Sequence, residues 1–166
     1  MSTDAIVMLK DDHKQILRTF RAFEDAGDNA HKTKANLVDR IIELLTVHTY
    51  IENEVMYPRV RELVPELEDD VLESYEEHHV ADVLVMELAA MKPDDERFTA
   101  KTTVLIENVR HHIKEEEEEW FPEVREALGR KVLQDIGAEM AEARKKAPRT
   151  PAQPSALKKT IDAVIT

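Results

Sequence analysis

The stretch His48-Thr-Tyr-Ile-Glu52-Asn-Glu-Val-Met-Tyr-Pro58 occurs twice in this chain. Sixty-four residues later it returns as His112-Ile-Lys-Glu-Glu116-Glu-Glu-Glu-Trp-Phe-Pro122, with His, Glu and Pro each on its counterpart. A His and a Glu four residues apart share one face of an α-helix, about 6 Å apart along the axis and roughly 40° apart around it. That spacing chelates. The agreement runs on through Ile42 and Ile106, Glu43 and Glu107, Val60 and Val124, Arg61 and Arg125, and Glu62 and Glu126. A weaker echo at offset 65 sets Asp12-His13 against Glu77-His78. The sequence therefore reads as two helical hairpins, each bringing one lone His and one His-x-x-x-Glu pair, and the expected fold is all-α, an up-and-down antiparallel four-helix bundle.

Apolar periodicity marks the helices. The first carries Ile6, Leu9, Ile16, Leu17, Phe20 and Phe23 on one face, with His13 among them, caps at Ser2-Thr3-Asp4 and a loop at Gly27 to Ala30. The second runs from about Thr33 to Tyr57 past Ile41, Leu44, Leu45, His48, Glu52 and Val55, where Pro58 should break or kink it. The third starts in the acidic stretch Glu66 to Asp70 and reaches about Met91, with Val71, Tyr75, His78, Ala81, Leu84, Val85 and Leu88 inward. The fourth follows the turn at Lys92 to Asp95 and extends to about Leu128, aligning Leu105, Val109, His112, Glu116 and Trp120. Gly129 marks a stop, so the bundle is expected over 1–128 and a short helical extension over 129–166. That extension reads as a helix from Lys131 to Lys146 with Val132, Ile136, Met140 and Ala143 on one inward face, a Pro-rich linker over Pro148 to Pro154, and a last short helix over Ala156 to Ile165. The tail should fold onto the bundle, a protein partner or a second copy of the chain.

Composition narrows the chemistry. Three glycines among 166 residues favour helix, and the absence of cysteine excludes disulfides, thiolate metal sites and cysteine catalysis. A formal net charge of −12 disfavours nucleic acid and anionic membranes as partners. No signal-like N-terminus and no apolar run of about 20 residues is present, so the expected location is cytoplasmic. Six inward polar side chains would each cost several kcal/mol if buried without partners. A cation satisfies them, and imidazoles with bridging carboxylates suit two oxygen-activating iron ions better than a structural zinc.

His13, His48-x-x-x-Glu52 with Pro58, Glu77-His78, and His112-x-x-x-Glu116 with Pro122, in that order, resemble the hemerythrin-like HHE cation-binding domain family. The resemblance covers roughly residues 4 to 128. It implies a non-haem di-iron centre with an oxo or hydroxo bridge, Glu52 and Glu116 as carboxylate bridges, and His13, His48, His78 and His112 as terminal ligands. It also implies dioxygen, peroxide or nitric oxide as the small ligand, in oxidative or nitrosative stress response or sensing. An iron-responsive regulatory module or an iron store is the alternative. The oxygen carriers of the family have one more helix-3 His, where this chain has Ser74, and Tyr75 is the nearest substitute. Any enzymatic activity rests on the metal, because no nucleophile triad or phosphate loop is present.

His79 and His111 should face outward, and His31 should lie in a loop. The run Glu115 to Glu119 suggests either an iron entry path or, apart from Glu116, a mostly solvated helix face, and the solvated face is the expected reading. Met56, Tyr57, Trp120 and Phe121 read as core at the bundle end.

Overall fold

Apolar side chains at three- and four-residue spacing give α1 (Ala5–Asp25) a buried stripe of Ile6, Leu9, Ile16, Phe20 and Phe23, with His13 buried among them. The computed structural model describes residues 4–151; Ser2, Thr3 and the expected helix over Ala156 to Ile165 lie outside them. The cap of α1 is Asp4, whose Oδ1 accepts the backbone N–H of Ile6 at 2.8 Å and of Val7 at 3.2 Å. After the turn come α2 (His31–Ile51), a π-helical turn (Glu52–Met56) and α3 (Tyr57–Leu63). A 3-10 turn (Pro65–Leu67) leads into α4 (Glu68–Ala90), which opens on three acidic residues as its dipole favours. Then α5 (Phe98–Glu115) passes through a second π-helical turn (Glu116–Trp120) into α6 (Phe121–Lys146). No strand occurs among the described residues. His31 opens α2 instead of lying in the loop, and it is exposed.

Four rods result: α1, α2 running into α3, α4, and α5 running into α6, with α1 against α2 and α4 against α5. The prolines do not break the rods as expected. Proline has no N–H to donate and its ring crowds the carbonyl four residues back, so a regular α-turn cannot close at Pro58 or Pro122. A wider turn can. The backbone N–H of Tyr57 bonds to the Glu52 carbonyl and that of Phe121 to Glu116, each five residues back, and the helix then continues. Both wide turns begin at the repeated glutamate.

The apolar core has two layers. One holds Phe20, Phe23, Ile41, Leu45, Val85 and Leu105. The other holds Ile6, Leu9, Met56, Tyr57, Phe121 and Val124. His13 comes between Leu9 and Ile16, and His48 between Leu45 and Ile51, so the polar residues form a slab between the layers. At Gly129 the backbone takes φ 75° and ψ 175°, a conformation open almost only to glycine, and α6 changes direction. Its C-terminal half packs along α1 and buries Leu133, Ile136 and Met140 in the second layer. Val132, expected on the inward face, is only partly buried there.

Candidate metal centre

The four imidazoles are held from outside. His48 Nδ1 lies 3.1 Å from Asp12 Oδ2, His78 Nδ1 2.8 Å from Asn53 Oδ1, His112 Nδ1 3.2 Å from Glu77 Oε2, and His13 Nδ1 3.1 Å from Glu117 Oε2. Each acceptor sits next in sequence to one proposed ligand and grips the ligand of another rod. The hydrogen bonds thus run α1 to α2, α2 to α4, α4 to α5 and back to α1, a closed ring around the bundle. An acceptor on Nδ1 fixes the proton there and leaves Nε2 directed inward.

The inward atoms crowd together. His48 and His78 Nε2 lie 2.9 and 3.3 Å from Glu52 Oε1, while His112 and His13 Nε2 lie 3.3 and 3.4 Å from Glu116 Oε1. His13, His48 and Glu116 form one set and Glu52, His78 and His112 another, each with donor atoms within 4.8 Å of one another and all six side chains buried. Proximity does not make them hydrogen-bonded. His13 Nε2, His48 Nε2, both oxygens of Glu52 and Glu116 Oε1 are buried without a hydrogen-bond partner, because they converge on common points instead of aiming at one another. His78 and His112 Nε2 face each other at 3.2 Å. Two ligands about 2.1 Å from one ion at 90° to 109° are roughly 3.0–3.4 Å apart, so this gap is that of neighbouring ligands on a metal. The donor set fits a cation.

A seventh group joins the slab from a residue read as core. The Tyr57 hydroxyl lies 2.9 Å from Glu116 Oε2, 3.1 Å from His78 Nε2 and 3.2 Å from His112 Nε2. In a regular α-helix Tyr57 would point about 140° away from Glu52. The π-helical turn spreads an extra residue over the same revolution and swings Tyr57 back toward the centre. The proline six residues after Glu52 was the available signal. Its repeat partner Phe121 swings in likewise and stacks on His13, ring centroids 5.8 Å apart and 8° from parallel. Ser74 is buried beneath the Tyr57 hydroxyl. Tyr75 does not take the place of the absent His: its ring meets Tyr57 edge-on and its hydroxyl faces the Asn53 carbonyl at 3.5 Å, outside both donor sets.

The hemerythrin HHE cation-binding domain is the family whose model matches this chain, over residues 4–124. The chain belongs to that family. A crystal structure of a hemerythrin HHE cation-binding-domain-containing protein from Mycobacterium kansasii superposes with a TM-score of 0.70 at 20% identity, covering 86% of each chain. A DNA nickase of Nostoc sp. is 26% identical over 139 residues, which span 84% of this chain and 38% of that protein.

Electrostatics in this HHE domain follow from burial against pairing. Burial opposes the imidazolium of His48, yet the Glu52 charge and the Asp12 hydrogen bond hold its pKa up at about 10. Burial likewise opposes charge on His112, and Glu116 and Glu77 raise it well above the ordinary value. His13 is raised by Glu116 and Glu117 against the same burial. Burial favours a protonated Glu52, but His48 and His78 hold it well below the carboxylate range. Glu116 is lowered too, with burial and the Glu52 charge opposing His112 and His13. Burial and the two carboxylates push the Tyr57 phenol well above 10, so it keeps its proton.

His79 is half-buried, and His111, with 68% of its side chain exposed, pairs with Glu115 at 3.0 Å, so neither belongs to a donor set. The run Glu115 to Glu119 divides: Glu118 and Glu119 are exposed, whereas Glu117 holds His13. A pocket of about 20 Å³ reaches His48, His78 and His112 between Leu45, Ala81, Val109 and Ile113.

Proposed function

We propose that this HHE domain holds two iron ions and that the loaded centre binds or reacts with dioxygen, peroxide or nitric oxide in the response to, or sensing of, oxidative or nitrosative stress. The observation that carries this reading is the pair of adjacent His, His, Glu sets with converging, unbonded donor atoms. Imidazole and carboxylate without thiolate suit iron, and Glu52 and Glu116, each facing histidines from two rods, would bridge the pair while His13, His48, His78 and His112 terminate it. When bound, the iron pair supplies the redox chemistry. The chain's own residues hold the imidazoles in one tautomer, offer the Tyr57 hydroxyl hydrogen to the interior, and line with Leu45, Ala81, Val109 and Ile113 an apolar pocket for a small uncharged molecule. Among the described residues no helix is long and apolar enough to cross a membrane, and the reading places the protein in the cytoplasm. A charge of −12 is the wrong surface for a phosphate backbone, so strand cleavage forms no part of it.

Metal analysis and an optical spectrum test this reading. Protein loaded anaerobically with Fe(II) and then exposed to air should carry two irons per chain, show near-ultraviolet absorption of a bridged pair, and change that spectrum on adding peroxide. Colourless, iron-free protein would defeat it.

A second reading, an iron-responsive regulatory module, draws on one contact. Arg144, near the end of α6, holds Asp12 at 2.8 and 3.0 Å, and Asp12 holds His48. Occupancy of the centre would then reach the end of α6 and any protein partner of the tail. Equal protease resistance of the segment after Gly129 with and without iron would argue against it.

A further inference from the structure

Carboxylates that the centre does not use gather in one place. A cleft of about 150 Å³ opens between α4 and the second π-helical turn. Its rim holds Glu73, Glu77 and Glu115, with one oxygen of each lying within 4.8 Å of the others. Glu116 and Trp120 line it further in, 2% and 6% exposed, and Glu116 Oε1 and Trp120 Nε1 are buried without hydrogen-bond partners. Among the described residues no lysine or arginine lines the cleft, and a basic contact at its rim is the exposed His111 against Glu115. One rim carboxylate does two things at once, since Glu77 Oε2 also accepts His112 Nδ1 at 3.2 Å.

The geometry points to a loading site for a divalent cation at Glu73, Glu77 and Glu115, from which the ion passes down the cleft to His112 and Glu116. This rests on the reading of the buried sets as a metal centre. Oxygen donors at a half-exposed rim take a cation that still keeps much of its water, whereas the imidazoles inside replace that water. The gradient of donors therefore runs inward. A cleft lined by one sign of charge also concentrates ions of the other sign and raises their rate of capture. Glu77 links the two stations, because an ion at the rim is one side chain away from the ligand that Glu77 orients. Glu118, exposed on the same turn but absent from the cleft lining, provides the control.

Stopped-flow loading of the metal-free protein with Co(II) tests this, since nitrogen and oxygen sites hold Co(II) at least as firmly as Fe(II) and the ion reports its ligands by absorbance. The double variant Glu73→Gln/Glu115→Gln should load about tenfold more slowly and reach the wild-type stoichiometry and spectrum, while Glu118→Gln loads at the wild-type rate. Wild-type loading should slow as salt is added, and that dependence should flatten in the double variant. A double variant that loads as fast as wild type overturns the proposal. So does one that binds less cobalt at saturation, because its carboxylates would then hold the ion instead of delivering it. Wild-type protein that takes up no cobalt overturns the metal-centre reading itself, a result distinct from an unchanged rate.

Discussion

The Tyr57 hydroxyl donates to Glu116 Oε2 at 2.9 Å, tying an aromatic ring of the first repeat to the carboxylate of the second. At the equivalent place Phe121 has no hydroxyl, so the two halves of the centre differ here by one oxygen. Removing it with Tyr57→Phe takes a donor from a buried carboxylate and should cost the metal-free protein about 1.5–3 kcal/mol. Urea unfolding in the presence of a chelator measures that loss. The loaded variant should keep two metals with an altered optical spectrum; a spectrum identical to wild type would place the phenol outside the reach of the metals.

The outer ring of acceptors has a second asymmetry. Three histidines lean on carboxylates, whereas His78 leans on the neutral amide of Asn53. A carboxylate would make the imidazole a stronger donor, so Asn53→Asp should tighten metal binding at the Glu52, His78, His112 set. Removing the acceptor in Asn53→Ala should weaken it by about 10- to 100-fold. Competition with a chromophoric chelator reads both. Equal affinities across wild type and the two variants would show that orientation of His78 does not depend on this contact.

The converging His and Glu side chains were legible in the sequence and their surroundings were not, for a physical reason. His48 with Glu52 and His112 with Glu116 obey the regular helical period, and the repeat placed them in register. Tyr57 does not obey it, because the period changes at the π-helical turn that Pro58 enforces. The outer acceptors Asp12, Asn53, Glu77 and Glu117 each stand beside an expected ligand in sequence, where a helical step of about 100° turns them away from that residue's face. They serve the ligands of adjacent rods, a relation that exists only once the bundle is assembled. The helix after Gly129 was legible, and so was its face through Ile136 and Met140; that Leu133, and not Val132, completes that face in the core beside the centre was not.

Proton linkage gives the metal-free protein a window of stability. The raised values at His13, His48 and His112 mean that their contribution is full below the unfolded value of about 6.5 and is lost as pH climbs through the folded values, about 10 for His48. The lowered values at Glu52 and Glu116 mean that theirs is full above about 4.5 and is lost as pH falls through the folded values. Chelator-treated protein should therefore be most stable between those limits and weaken toward both extremes. A metal must displace the imidazole protons, so its apparent affinity should rise with pH below about 10. Urea midpoints across pH, with and without metal, check both signs; alkaline stability of the metal-free protein equal to that near neutrality would contradict the pairing described for His48.

Gly129 separates the stability of the extension from the chemistry of the centre. Its φ of 75° and ψ of 175° suit glycine, while a built Cβ would meet nothing within 4 Å, so the cost of Gly129→Ala is one of backbone conformation and not of collision. That cost should be about 1–3 kcal/mol. Part of the strain can be relieved by shifting the C-terminal half of α6, which carries Leu133, Ile136 and Met140 in the core and Arg144 against Asp12. If that half moves as a body, Asp12 loses its guanidinium and His48 is held less firmly, so metal affinity should fall together with stability. Arg144→Ala alone should then lower affinity with little loss of stability, because the side chain is 38% exposed. Denaturation and chelator competition on the two variants distinguish the routes: affinity unchanged in both would mean that the part of α6 after Gly129 supports the bundle without reaching the centre.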